Sequence, residues 1–208
     1  MTRPQPIDGE PFRSPEFTGP WAVVVLASAG GIAATTEVLS ALPVPFPAPI
    51  FLSQHLPHDR TSELAPLLQR RLKLEVKWAA SGPRAVPGTV YVVPPAHELD
   101  VRPSGLIVRR LQEAWFNWFN SADVLLRSVA ATYGAGAIAV TLSGMMATGV
   151  AGLRAIRQQG GVTLAQNEQS SSFFPMPRAA IDLGMADMVF PPERIAEALT
   201  LLTNRPPA

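Results

Sequence analysis

The eleven residues WAVVVLASAGG, Trp21 to Gly31, constrain this chain more than any other stretch. An apolar run from Ala22 to Ala27 stops at Ser28, and two glycines lead into Ile32 to Leu39, which reads as a helix. A short β-branched run bounded by turn residues predicts a strand buried on both faces. Strand, tight turn and helix is how open α/β sheets place reactive groups, at the carboxyl ends of strands. Ser28 is therefore the candidate nucleophile, with a helix N-terminus just behind it.

Similar runs recur along the chain. Ile50 to His55 predicts a second buried strand, ending on a histidine, and Ala137 to Leu142 a third. Shorter strands are expected at Leu74 to Trp78, Gly88 to Pro94, Val162 to Ala165 and Met188 to Phe190. Helices are expected from a Thr61 or Ser62 cap to about Leu72, from a Ser121 cap to Tyr133, and over Val150 to Gln159, Pro177 to Leu183 and Pro191 to Leu202. Leu99 to Arg102 and Leu106 to Arg110 flank Pro103-Ser104-Gly105 and predict an antiparallel hairpin. Strands alternating with helices give an α/β fold: a doubly wound, mostly parallel sheet with helices on both faces and a hairpin insertion. Residues 1–20 hold five prolines and two glycines without apolar periodicity, and read as a flexible tail before a single domain over 21–204.

Composition limits the classes of function. The chain has 208 residues, 47% hydrophobic and 16% charged, with net charge +1, enough for one well-buried domain. No basic block points to nucleic acid, and no apolar run is long enough to span a bilayer. Cysteine is absent, which removes thiol chemistry and thiolate metal sites. No signal-peptide pattern is present, and the cytoplasm is the expected compartment. The three histidines lack metal-ligand spacing, so no metal and no cofactor are expected.

Three loops fall at carboxyl ends of strands: Ser28 to Gly31, His55 to Pro57, and Ser143 to Gly149. A serine hydroxyl needs a base, and His55 lies at the matching end of a neighbouring strand. The N–H groups of Ala29, Gly30 and Gly31 are candidate oxyanion donors. The plainer alternative makes Ser28 a helix cap and His55 structural. A phosphate cradle lacks both glycine-rich patterns. His58 and His97 read as solvent-facing, Met145-Met146 as packing, and Trp115 to Phe119 as core or a loop anchor.

Ala27-Ser28-Ala29-Gly30-Gly31, Gln54-His55-Leu56-Pro57 and Leu142-Ser143-Gly144-Met145 resemble the three signature loops of the chemotaxis receptor methylesterase (CheB-type) family. The segments 87–95, 121–125, 165–168 and 176–180 resemble its other hallmarks, in order. The resemblance covers about residues 21–202. It implies a domain that hydrolyses glutamyl methyl esters, and deamidates glutamines, on chemoreceptors, with Ser28 as nucleophile and His55 as the histidine.

Two departures stand out. The family's third loop reads Gly-Met-Gly-x-Asp-Gly; here Met146 replaces a glycine and Thr148 the triad aspartate. A threonine can hold the imidazole tautomer by accepting a hydrogen bond but supplies no charge. In the serine-protease template, neutralising the acid lowers turnover by about 10⁴, or ~5 kcal/mol. Asp59 and Asp123 are the carboxylates on candidate pocket loops, and Glu98 stands where the family commonly has a histidine. The sequence also shows no phosphoacceptor receiver domain ahead of the esterase region. The alternatives are thus a receptor methylesterase, a catalytically impaired relative that binds a signalling partner, and an esterase of the same fold acting on a small-molecule ester.

Overall fold

The structure, a computed structural model, describes residues 21–57, 61–112 and 118–204. The expected tail over 1–20, His58, Asp59 and Trp115 to Asn117 lie outside the described residues. Strand β1 (Ala22–Ala27) is buried along its whole length. Beside it lie β2 (Ile50–Gln54) and β7 (Ala137–Thr141), both parallel to it, in registers Ala27↔Gln54 and Leu26↔Thr141. With β3 (Glu75–Trp78), β4 (Thr89–Val92), β8 (Val162–Gln166) and β9 (Met188–Phe190) they form a seven-stranded sheet in the order β3-β4-β2-β1-β7-β8-β9. Every pairing in it is parallel. The continuous apolar runs are the inner strands; the edge strands β3 and β9 carry exposed positions.

Alternation along the strands sends side chains to two separate cores. Val23, Val25, Ile50, Leu52, Ile138 and Val140 pack against α1 (Gly31–Ser40), α2 (Leu64–Gln69) and α6 (Pro192–Thr203). Val24, Leu26, Phe51, Tyr91 and Ala139 pack on the other face, against α3 (Trp118–Tyr133), α4 (Val150–Gln158) and α5 (Pro175–Asp182). Three layers, α/β/α, result, as the alternation of strands and helices predicts.

The hairpin stands apart as a second sheet, β5 (His97–Arg102) paired antiparallel with β6 (Leu106–Leu111). Its turn contains Ser104 at φ 62° and Gly105 at φ 75°. Side chains of α3 fasten it: Ser128 Oγ accepts the Val101 N–H at 3.0 Å, and Thr132 Oγ1 donates to the Val101 carbonyl at 2.7 Å.

Helix α5 begins at Pro175, two residues before the expected Pro177, and the two helices with expected caps also start elsewhere. Helix α2 begins at Leu64, not at Thr61 or Ser62, although Ser62 Oγ does accept the Leu64 N–H at 3.2 Å. Pro66 is the reason: a start at Leu64 leaves it in the first turn, where its missing N–H removes no helical bond. Helix α3 begins at Trp118, so Ser121 lies within the helix instead of capping it.

Candidate active site

Strand β1 is the switch point of the sheet: the chain moves from it to β2 on one side, and β7 flanks it on the other. In such sheets the crevice opens outside the strand carboxyl ends. The loops after β1, β2, β4 and β7 meet there around a small open cleft of about 60 Å³. Ser28, Gln54, His55, His97, Met146, Thr148 and Met176 are among its lining residues.

Ser28 follows β1 directly, and its backbone is held at both ends. Its N–H donates to the Ser143 carbonyl at 3.0 Å, and its carbonyl accepts the Gly31 N–H at 2.9 Å and Gln54 Nε2 at 2.8 Å. The side chain does not cap α1. Gly30 occupies the N-cap at φ 71°, without a side-chain bond, and the Ser28 hydroxyl faces the imidazole of His55. Glycine is required at position 30. A Cβ there would lie 2.7 Å from Ser143 Oγ and 2.8 Å from Ser172 Cβ, in a left-handed conformation besides.

His55 lies one residue past β2, yet its N–H continues the ladder to the Ala27 carbonyl at 2.9 Å. That bond fixes the strand end, and Ser28 Oγ lies 3.4 Å from His55 Nδ1. Proton acceptance from the hydroxyl requires the lone pair on Nδ1 and the proton on Nε2. The sequence thus placed Ser28 and His55 on one rim, and the structure brings the two side chains together.

The third loop supports this turn without contributing a carboxylate. Ser143 is fully buried, and every polar group on it is used. Its N–H donates to Gln166 Oε1 at 2.9 Å, and its carbonyl receives Ser28 N–H. Its hydroxyl donates to the Ala29 carbonyl at 2.8 Å and accepts the Phe173 N–H at 2.9 Å. One serine therefore ties together the loops after β1, β7 and β8. Thr148 lines the cleft, but its hydroxyl donates to Met176 Sδ at 3.5 Å.

Other expectations change as well. The Gly31 N–H is engaged by Ser28 and is not an oxyanion donor. The N–H groups of Ala29 and Met145 meet no acceptor among the described residues, which leaves both able to receive one. Asp123 is engaged elsewhere: its Oδ1 accepts the Gly152 N–H at 2.5 Å, in the first turn of α4. It borders a separate depression with Thr148 and Arg154. Met145 is 60% exposed and does not pack in the core; Met146 lines the cleft. His97 is not solvent-facing. It is half-buried in the cleft wall, its Nδ1 2.7 Å from the Pro95 carbonyl. Hairpin strand β5 starts at the rim straight after the β4 loop, and so its first residue projects over the site. No sequence spacing signals that placement. The roles of Gln54, Ser143 and Gln166 were likewise hidden, although all three stand inside motifs that carry the family resemblance.

The chain is similar to known proteins over most of its length. A family model described as CheB methylesterase matches residues 23–199. A protein-glutamate methylesterase/protein-glutamine glutaminase of Pseudomonas aeruginosa is 42% identical over 176 residues, covering 83% of this chain and 50% of the relative. A similarly named protein of Carboxydothermus hydrogenoformans is 34% identical, over 95% of this chain and 61% of its own length. The protein-glutamate methylesterase FrzG of Myxococcus xanthus is 39% identical, over 96% and 59%. The chain thus spans half to three-fifths of these relatives. The crystal structure of the Thermotoga maritima CheB methylesterase catalytic domain superposes with a TM-score of 0.81 at 33% identity, covering 88% of this chain and 98% of that one. Sequence motifs, fold and superposition lead to one conclusion: the chain belongs to the CheB methylesterase family.

Proposed function

We propose that this domain is a protein-glutamate methylesterase, acting in the cytoplasm on glutamyl methyl esters of chemoreceptor cytoplasmic regions. The observation that carries the reading is the Ser28–His55 contact of 3.4 Å on the carboxyl rim of the sheet. The names of the relatives supply the substrate class.

Ser28 Oγ attacks the ester carbonyl carbon while His55 Nδ1 takes the hydroxyl proton. The oxyanion is met by the N–H groups of Ala29 and Met145, with the N-terminus of α1 behind them. Collapse breaks the C–OCH3 bond, and the imidazolium returns its proton to the departing oxygen, giving methanol and an acyl-serine. Water, deprotonated by His55, then attacks the acyl carbon and releases glutamate and free Ser28. A glutamine side chain follows the same path with ammonia leaving, which matches the glutaminase in the relatives' names. The relatives are named as enzymes, and nothing in the comparisons favours the binding-only module that Thr148 and Met146 suggested.

Methanol release from methylated receptor membranes tests the proposal. Wild type is expected to release methanol above background. Ser28→Ala should fall to background, and His55→Ala should lose about 10²–10⁴-fold, the usual contribution of a general base. Equal release by wild type and Ser28→Ala would refute it.

A further inference from the structure

We infer that Gln54 is a positioning residue that holds Ser28 and His55 within reach of each other; the inference rests on the catalytic roles proposed for that pair. Gln54 ends β2 opposite Ala27, the residue before Ser28. Its carboxamide Nε2 donates to the Ser28 carbonyl at 2.8 Å and to the His55 carbonyl at 3.3 Å. An amide nitrogen carries two protons, so both bonds form together. One side chain therefore clamps the backbone of both members of the pair, across the gap between β1 and β2.

The clamp has a single sensible orientation. Gln54 is 8% exposed, and its Oε1 is buried without a hydrogen-bond partner. Rotating the amide by 180° would set Oε1 against two carbonyl oxygens. In the observed orientation Oε1 lies over Gly31, 3.0 Å from where a Cβ on that residue would stand. The bare glycine at the start of α1 thus makes room for the amide, and the helix start, the nucleophile turn and the end of β2 interlock. An acceptor left unpaired in the interior is unfavourable, and the fold tolerates it here while the donor end bridges the two residues.

Replacing the amide removes one of the two bonds to the Ser28 carbonyl and the Gln54 bond to the His55 carbonyl. The pair is already separated by 3.4 Å, at the long end of a hydrogen bond, so little drift takes it out of range. Misplacement by about 1 Å can reduce rate by about 10²-fold.

The test uses the full chain and the variants Gln54→Glu, which is isosteric but cannot donate from that atom, and Gln54→Met, which is apolar and of similar length. Measured are kcat and KM for methanol release, the second-order rate of labelling by a fluorophosphonate, and thermal melting. Both variants are expected to lose about 10–100-fold in kcat and in labelling rate, with KM within twofold of wild type. A labelling rate within threefold of wild type in either folded variant would overturn the inference, as would a change confined to KM. Should both variants fail to fold, exchange of the Gln54 side-chain amide protons in wild type decides. Protection of both protons supports the clamp, and free exchange overturns it. Wild type that is neither labelled at Ser28 nor active would instead overturn the proposed catalytic roles, and the inference with them.

Discussion

Thr148 stands where the family resemblance implies a triad aspartate, and the structure shows what its hydroxyl touches. Its hydroxyl donates to the thioether of Met176, and a neutral hydroxyl brings no charge to the imidazole. An imidazolium formed when Ser28 gives up its proton therefore receives no negative charge from position 148. Substituting Thr148→Asp restores a carboxylate on a half-buried loop lining the same cleft. We expect kcat for methanol release to rise by about 10-fold or more, because charge aimed at a developing cation in a partly desolvated site is worth several kcal/mol. An unchanged or lower kcat in a folded Thr148→Asp protein would mean that position 148 no longer addresses the base. Ser143 makes the opposite point. It contributes nothing to the reaction itself, yet its four hydrogen bonds hold Ser28, Ala29, Gln166 and Phe173 in one arrangement.

The elements that deliver these residues were legible in the sequence to the degree that burial wrote them there. Ala22–Ala27, Ile50–Gln54 and Ala137–Thr141 are inner strands covered on both faces, so each appears as an unbroken apolar run with a sharp end. The residue just past each end, Ser28, His55 and the loop at Ser143, could be read off the same way. Helix starts were less legible, because a cap depends on which backbone groups remain unpaired. Pro66 delayed α2, and α3 starts at Trp118, ahead of Ser121. Contacts between distant elements left no local trace, which is why His97 and Asp123 were misplaced. Asp123 belongs to the α3–α4 junction, as does Gly152 beside it. A Cβ on Gly152 would lie 2.5 Å from Leu126 Cβ. Helix propensity alone favours alanine there by about 1 kcal/mol. Close packing outweighs it: Gly152→Ala should destabilise by about 1–3 kcal/mol, lowering the melting temperature by roughly 2–10 °C for a domain of this size. A raised melting temperature in a thermal scan would show that α3 and α4 are not packed this tightly.

At the scale of the whole molecule, the sheet is a device for bringing together groups far apart in the chain. Ser28, His55, His97, Thr148 and Met176 converge because β1, β2, β4, β7 and β8 run parallel and end on one rim. Two cores, one on each face, hold that rim rigid. On the proposed mechanism, nucleophile activation is a property of the folded domain and not of any peptide within it. Reaction of the folded protein with a fluorophosphonate, followed by mass-spectrometric mapping of the adduct, tests this most directly. The account predicts one adduct, on Ser28, formed by wild type, slowed at least about 10²-fold in His55→Ala and absent after unfolding in denaturant. An adduct on another serine, or equal labelling of Ser28 in His55→Ala, would contradict it.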